Sequence, residues 1–275
     1  MPLKLIIAHI KLDILKLNVL RTFVKIFRLK RRFPQMKIFT YKALVRSIQK
    51  RNDVCHVIAT GSSAVDSYKA GVVQPDDYII GLNFAAFLPY TFDLYFFEEP
   101  FGKSDFRISR GKSIAELLYK RKKYLPNLVF KNACRVRPDL MANTIPDIRF
   151  SVVYDRVFYY PIVKKFFTKP SVFMPQYCTS AISAVMLAYH AGFKNIVVHG
   201  IDFSGPHIYH DQELQEKTGL DAPHPYIPKD EPLSADAQAH QMIWPKLMQM
   251  FAKNNVQIFC ASESSNFKKY AAVYR

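Results

Sequence analysis

The block TSAISAVMLAYHAGFKNIVVHGID, Thr179 to Asp202, constrains the fold more than any other segment. Thr179 or Ser180 is a capping residue, small and apolar residues run to Ala191, and Gly192 is a stop, so the spacing predicts a helix over 180–191. NIVVHG then reads as a buried strand closing on a glycine and an acid. Other segments repeat this alternation. VCHVIATGSS is a buried strand followed by a Gly/Ser turn, and DDYIIGLNFAAF holds a strand over 78–81 closing on Asn83. FDLYFFEEP (Phe92 to Pro100), LVFKN (Leu128 to Asn132) and VQIFCAS are further strands. SADAQAHQMIWPKLMQMFAKNN is helical, with Ser234 as its candidate cap and a possible kink at Pro245. Strands alternating with helices predict an α/β fold, a Rossmann-like, mostly parallel sheet flanked by helices.

Charge divides the chain in two. Residues 1–53 hold fourteen Lys/Arg against two Asp, a net of +12 of the total +17, which leaves +5 for the remainder. In KLDILKLNVLRTFVKIFRLKRR, Lys11 to Arg32, Leu12, Leu15, Val19, Phe23, Ile26 and Phe27 recur at helical spacing, with basic residues on another face. Its charges are too frequent for a transmembrane span, and it lacks the apolar core and cleavage site of a signal peptide. An amphipathic basic helix of this kind can lie in the headgroup layer of an anionic membrane, or pack on its own domain with its basic face solvated. Pro34 breaks it, and a short helix follows over 41–51. The expected organisation is therefore a helical extension over 1–52 and one α/β domain over 53–275. Positive charge gathered in a helix with an apolar face argues against a nucleic-acid-binding core. Cys55, Cys134, Cys178 and Cys260 have no zinc spacing and read as reduced thiols of a cytosolic protein.

In open α/β sheets ligands bind beyond the carboxyl ends of the strands. The polar residues there are Thr60, Gly61, Ser62 and Ser63, then Asn83, Glu98-Glu99, and Asp202 through His210. The Thr60–Ser63 turn offers N–H groups and hydroxyls to a phosphate or ribose. It is neither GxGxxG nor a Walker A loop, and an ordinary strand-to-helix turn is an equal reading. Asn83 can donate and accept at once, as suits a base edge or a sugar hydroxyl, though an Asx turn explains it equally. Asp202 can brace loops or bind a sugar hydroxyl, and Tyr209 can donate to a phosphate oxygen. His210 and His224 are candidate general bases.

These segments together resemble the bacterial lipooligosaccharide sialyltransferases, glycosyltransferase family 42. The Thr-Ser helix start, the Gly-Phe-Lys turn, the strand, Gly-Ile-Asp-Phe and a following tyrosine carry the resemblance. VIATGSS, IIGLN and FFEEP are similar to the family's first three strand ends, so it covers roughly residues 54–100 and 170–262. GIDFSG and HIYHD also resemble segments of the lipopolysaccharide core Kdo transferases. The resemblance implies a GT-A-like variant of the Rossmann-like sheet, a CMP-sugar donor, no cofactor and no metal. It implies that Asn83 binds the CMP-sugar, that Ser180 contacts the sugar carboxylate at its helix start, and that Tyr209 holds the departing phosphate. Departures fall where the family has a first-turn asparagine (Thr60 or Gly61 here), a second phosphate tyrosine (Ser204) and a third-strand asparagine (Glu99). A family arginine is Tyr177. In the lid, Tyr226 stands at the family's tyrosine and Lys229 near its catalytic histidine, with His224 two residues before Tyr226. Strict sialic-acid specificity is therefore not implied; Kdo or another acidic sugar fits as well.

The expectation is an inverting glycosyltransferase acting on a lipid-linked lipooligosaccharide, lipopolysaccharide or capsule acceptor. Its lid would span approximately 205–235, and its first helix would hold it as a peripheral protein on the cytoplasmic face of a bacterial inner membrane. A homo-oligomer is compatible with the sequence. The rivals are another nucleotide-dependent transferase, such as a pterin pyrophosphokinase-like enzyme, and a non-catalytic membrane-associated relative.

Overall fold

We describe a computed structural model of the chain. The structure describes residues 37–97, most of 113–132, 151–157, 174–176, 179–223 and 235–275, with a few isolated positions besides. The helix expected over 11–32, Glu99, Tyr177, Cys134, Cys178, His224, Lys229 and Ser234 lie outside the described residues.

Nine strands form one sheet among the described residues: β1 (Ile38–Phe39), β2 (Val54–Ile58), β3 (Tyr78–Leu82), β4 (Leu94–Phe97), β5 (Leu128–Asn132), β6 (Ser151–Val157), β7 (Met174–Gln176), β8 (Asn195–His199) and β9 (Gln257–Cys260). The order is β1-β6-β5-β4-β3-β2-β8-β9, with β7 pairing on the last residues of β6, and every pairing is parallel. β2, β3, β4 and β8 are buried along almost their whole length. Continuous apolar runs of this kind belong to strands covered on both faces.

One face is covered by α1 (Tyr41–Ser47), α3 (Ser180–His190) and α5 (Ala235–Lys253), whose Tyr41, Leu44, Val185 and Trp244 pack on Val57 and Phe96. The other is covered by α2 (Ser63–Lys69), a 3-10 turn (Asn83–Phe87) and α4 (Gln212–Thr218), with Phe84, Tyr209 and Leu214 in one cluster with Ile58 and Tyr95. Residues 41–47 thus share the core of the sheet. α1 stops at Ser47, short of residue 51, because the next residues bind elsewhere. Arg51 donates to Asp93 at 2.6 Å and to the Asp77 carbonyl at 2.5 Å, and Lys50 to Asp53 at 2.8 Å. α3 matches its expected start, the Thr179 side chain accepting from the Ile182 N–H. α5 continues through Pro245 to Lys253. No helix among the described residues is long and apolar enough to cross a membrane.

The topology fixes where a ligand site belongs. From β2 to β6 the chain steps steadily to one side, while β8 and β9 lie on the other, so β2 and β8 are neighbours at a topological switch point. The crossover from β2 runs through α2 on one face and the crossover from β8 to β9 returns through α5 on the other, which opens a crevice at the carboxyl ends of the two strands.

Candidate functional site

β2 and β8 end side by side, Ile58 opposite His199. Their following turns stay in contact. Ala59 N–H donates to the His199 carbonyl at 3.0 Å and Gly61 N–H to the Gly200 carbonyl at 2.9 Å. A side chain at Gly61 has no room, because its Cβ would stand 2.5 Å from Asp202 Oδ2 and 2.7 Å from the Gly200 oxygen. Asp202 then closes the turn: its carboxylate accepts from the Ser63 N–H at 3.0 Å and the Ser63 hydroxyl at 2.5 Å. It serves as a cap for α2 from across the crevice, where an anion at a helix start is favoured.

The N–H cradle expected over 60–63 is therefore occupied by the protein itself. Gly61 donates to Gly200, Ser62 to the Pro206 carbonyl at 3.0 Å, and Ser63 to Asp202. The cause is the return of the 200–208 segment, which forms an antiparallel bridge between His207 and Gly61 and places the Ile208 N–H on the Thr60 carbonyl at 2.9 Å. What this turn presents to a ligand is side chain, the half-buried Thr60 and Ser62.

Asn83 follows β3 directly, with φ +49°. That left-handed conformation is one asparagine tolerates. The turn is held from beneath by Tyr95 of β4, whose buried hydroxyl accepts from the Ala86 N–H at 3.1 Å and donates to the Asn83 carbonyl. Burial raises the Tyr95 phenol well above its usual range, so it remains a donor. Tyr95→Phe removes both bonds and leaves a buried N–H unpaired. It should lower unfolding free energy by about 1–3 kcal/mol in urea titrations.

Tyr209 lies beside the same turn, but inside the core. Its ring packs on Phe84 at 5.1 Å and on His207 at 5.0 Å, with 2 % of the residue exposed. His210 is half-buried, and its Nδ1 accepts from the His207 N–H at 3.1 Å. A ring nitrogen that accepts carries no proton, so neutral His210 holds its proton on Nε2 and acts there as a donor. Tyr226 is 62 % exposed and meets the His210 ring edge at 5.4 Å. The first half of the segment expected as a lid is anchored, since Ile208, Leu214 and Leu220 are buried.

The start of α3, at Ser180, is tied to the loop that follows β8. Thr179, the α3 cap, lies 3.2 Å from His240 Nε2, and the His240 ring meets Phe203 at 5.2 Å. Phe203 has φ +66°. A bulky residue in the left-handed region costs of order 1–2 kcal/mol, and such strain gathers at functional sites. Burial pushes the His240 imidazole down to about 4. Ser204 is half-buried in the same loop.

Below the crevice runs a chain of four buried polar residues that sequence reading missed. Ser67 Oγ lies 2.7 Å from His199 Nδ1, His199 Nε2 lies 2.8 Å from His56 Nδ1, and His56 Nε2 lies 2.8 Å from Asp77 Oδ2. An ionised Asp77 only accepts, so His56 Nε2 carries a proton. With both rings neutral, His199 then donates to His56 and Ser67 donates to His199. Burial lowers the His56 imidazole despite Asp77, and burial together with His56 holds His199 far below its usual range. Burial alone would raise Asp77, but bonds from the Gln74 N–H, Asn52 and His56 outweigh it and hold the carboxyl low. No sequence signal could have joined these groups, because His56 and His199 meet only through the pairing of β2 with β8.

The structure thus brings Thr60, Gly61, Ser62, Ser63 and Asp202 into direct contact and sets Asn83 and His210 beside them. Ser180 begins α3, whose cap Thr179 connects through His240 to Phe203 in the loop after β8. Among the described residues no group of three or more His, Cys, Asp or Glu is placed to hold a metal ion. No protein-family model and no curated protein matches the chain. Solved structures do. The chain is similar to the monofunctional α-2,3-sialyltransferase Cst-I of Campylobacter jejuni, at 16% identity and TM-score 0.47 over 83% of this chain and 82% of that one. It is similar also to an apo α-2,3-sialyltransferase of Campylobacter jejuni, at 15% identity and TM-score 0.44 over 83% and 82% of the two chains. A third similar structure is the sialyltransferase CstII of Campylobacter jejuni in complex with CMP-3FNeuAc, at 13% identity and TM-score 0.44 over 83% and 87%.

Proposed function

We propose that this protein is an inverting glycosyltransferase that moves a CMP-activated sugar acid, sialic acid or Kdo, onto a lipid-linked oligosaccharide acceptor. One observation carries the reading: sequence segments that resemble a CMP-sugar-dependent family, and that lie far apart in the chain, meet at the switch point between β2 and β8. In the proposed reaction an acceptor hydroxyl attacks the anomeric carbon while the bond to the CMP phosphate breaks. The electron pair leaves with CMP, and the hydroxyl proton goes to a histidine, His224 by preference. The N-terminus of α3 at Ser180 would take the sugar carboxylate, because first-turn N–H groups and the helix dipole favour an anion. Asn83 and the Thr60 and Ser62 side chains would take the cytidine.

A second reading, a non-catalytic relative, is favoured by the Gly61, Ser62 and Ser63 N–H groups donating within the protein. Thermal stabilisation by CMP in metal-free buffer separates the two. On the transferase reading, CMP at a hundred times its Kd stabilises by ~2.7 kcal/mol and UMP, AMP and GMP do not. No shift with any cytidine nucleotide in folded protein would leave the non-catalytic reading standing.

A further inference from the structure

The end of the sheet opposite the crevice carries its own pattern. Tyr119-Lys120-Arg121-Lys122-Lys123-Tyr124 leads into the amino end of β5. Two of its four cations are committed. Lys120 reaches Glu116 at 3.1 Å and the Gly219 carbonyl at 2.8 Å, and Arg121 donates to the Leu88 and Tyr90 carbonyls at 3.2 and 3.4 Å. Lys122 and Lys123 are exposed, with no carboxylate in ion-pair range among the described residues. Their ammonium groups lie over tyrosine rings instead, Lys122 4.5 Å from the Tyr119 centroid and Lys123 4.8 Å from that of Tyr124. Tyr119 is itself 52 % exposed. Lysines laid over half-exposed tyrosines present positive charge and an amphipathic ring on one surface.

Connectivity delivers a second basic segment to this end. β1 and β5 are parallel with β6 alone between them, so the residues before Ile38 join the fold at the same amino end. Residues 1–36 contain nine Lys/Arg and one Asp. The carboxylates at this end are mostly engaged, Asp53 with Lys50 at 2.8 Å and Asp93 with Arg51 at 2.6 Å, Asp77 is buried, and Asp76 is exposed.

We propose that the amino end of the sheet, centred on Tyr119–Tyr124, docks on anionic phospholipid headgroups. Lys122 and Lys123 meet the phosphates, and the tyrosine rings sit at headgroup depth, where amphipathic aromatics are favoured. A bilayer suits this surface better than nucleic acid because the adjoining basic segment also carries the apolar stripe Leu12, Leu15, Val19, Phe23, Ile26 and Phe27. A lipid surface takes up such a stripe and a phosphate backbone does not. Docked this way, the crevice faces away from the bilayer, at least a strand length of about 17 Å from it. Resting on the transferase reading above, the acceptor is then the distal end of an extended glycan, not a sugar at the lipid.

The test uses the full chain and sedimentation with phosphatidylcholine vesicles, with and without phosphatidylglycerol. Lys122→Glu/Lys123→Glu should weaken binding to the anionic vesicles by about 25-fold or more, from roughly fivefold per lysine. Lys268→Glu/Lys269→Glu, at the carboxyl end, should bind like the parent. Equal binding by the 122/123 variant overturns the proposal, as does charge-dependent capture of an RNA oligonucleotide by a protein that ignores both vesicles. Brominated lipid should quench an indole introduced by Tyr119→Trp and spare one introduced by Glu263→Trp; the native Trp244 is wholly buried. The reverse pattern overturns the orientation. None of these readouts involves CMP or turnover, so they stand or fall apart from the transferase reading.

Discussion

Between about pH 7 and pH 5 the protein should lose several kcal/mol of stability, and His199→Asn should flatten that loss. Three buried histidines set this profile. His56, His199 and His240 are each no more than 6 % exposed, and burial lowers the affinity of each for a proton. Unfolded, each would titrate near 6.5. Below that value the unfolded chain takes up protons the folded chain refuses, so stability is complete above the unfolded pKa and falls as pH falls. Each histidine contributes a limiting slope of about 1.4 kcal/mol per pH unit. Asp77 acts in the same direction lower down, since its depressed carboxyl contributes stability that is lost as pH drops below about 4. His199→Asn should reduce the acid slope by about one proton. It should also lower stability at neutral pH by about 1–3 kcal/mol for the His56 nitrogen left unpaired, while the Ser67 hydroxyl keeps the Ala64 carbonyl at 3.0 Å. Urea titrations across the pH range give both quantities. A profile that stays flat from pH 7 to pH 5 would show that these rings are not held neutral.

The same relay shows where sequence reading stops. The strands were legible because their apolar runs are continuous, and α3 was legible because Thr179 and Gly192 mark its ends. α4 carried comparable marks, Asp211 accepting from the Leu214 N–H and Gly219 at φ +63°. Its sequence shows no helical period, because Leu214 is the one residue of QELQEKT that is buried. The crevice was legible as a set of strand ends, since polar residues after buried strands must face an opening. Its internal bonding was not. Asp202 in GIDFSG reads both as a cap or brace for neighbouring loops and as a ligand for a sugar hydroxyl, and only the packing of Gly61 on Gly200 shows that its carboxylate closes the α2 turn. Tyr95 reads as one more strand residue in DLYFF, and only the position of β4 beside β3 brings its hydroxyl under Asn83. Pairwise partners across the sheet depend on register, and register is a property of the assembled fold.

Gly61→Ala should force the crevice apart at its base. The new Cβ would stand 2.5 Å from Asp202 Oδ2, 2.7 Å from the Gly200 oxygen and 2.8 Å from Asp202 Cγ. A flexible side chain could swing aside, but the Gly200 carbonyl is backbone and accepts the Gly61 N–H at 2.9 Å. Relief therefore requires the ends of β2 and β8 to separate. Overpacking of this kind costs typically about 1–3 kcal/mol, and breaking the Asp202 cap adds about 1 kcal/mol. Gly192→Ala is the proper control. Gly192 has φ +86°, so alanine there is strained, yet nothing lies within 4 Å of its Cβ. The control should lose about 1–2 kcal/mol from backbone strain alone and leave the crevice intact. If the switch point is the binding site, Gly61→Ala should also abolish stabilisation by CMP at a temperature where the variant is still folded, while Gly192→Ala keeps it. Equal CMP shifts in the two variants would move the nucleotide away from the β2–β8 crevice, because no ligand seated on Thr60 and Ser62 could be indifferent to the parting of the strands that carry them.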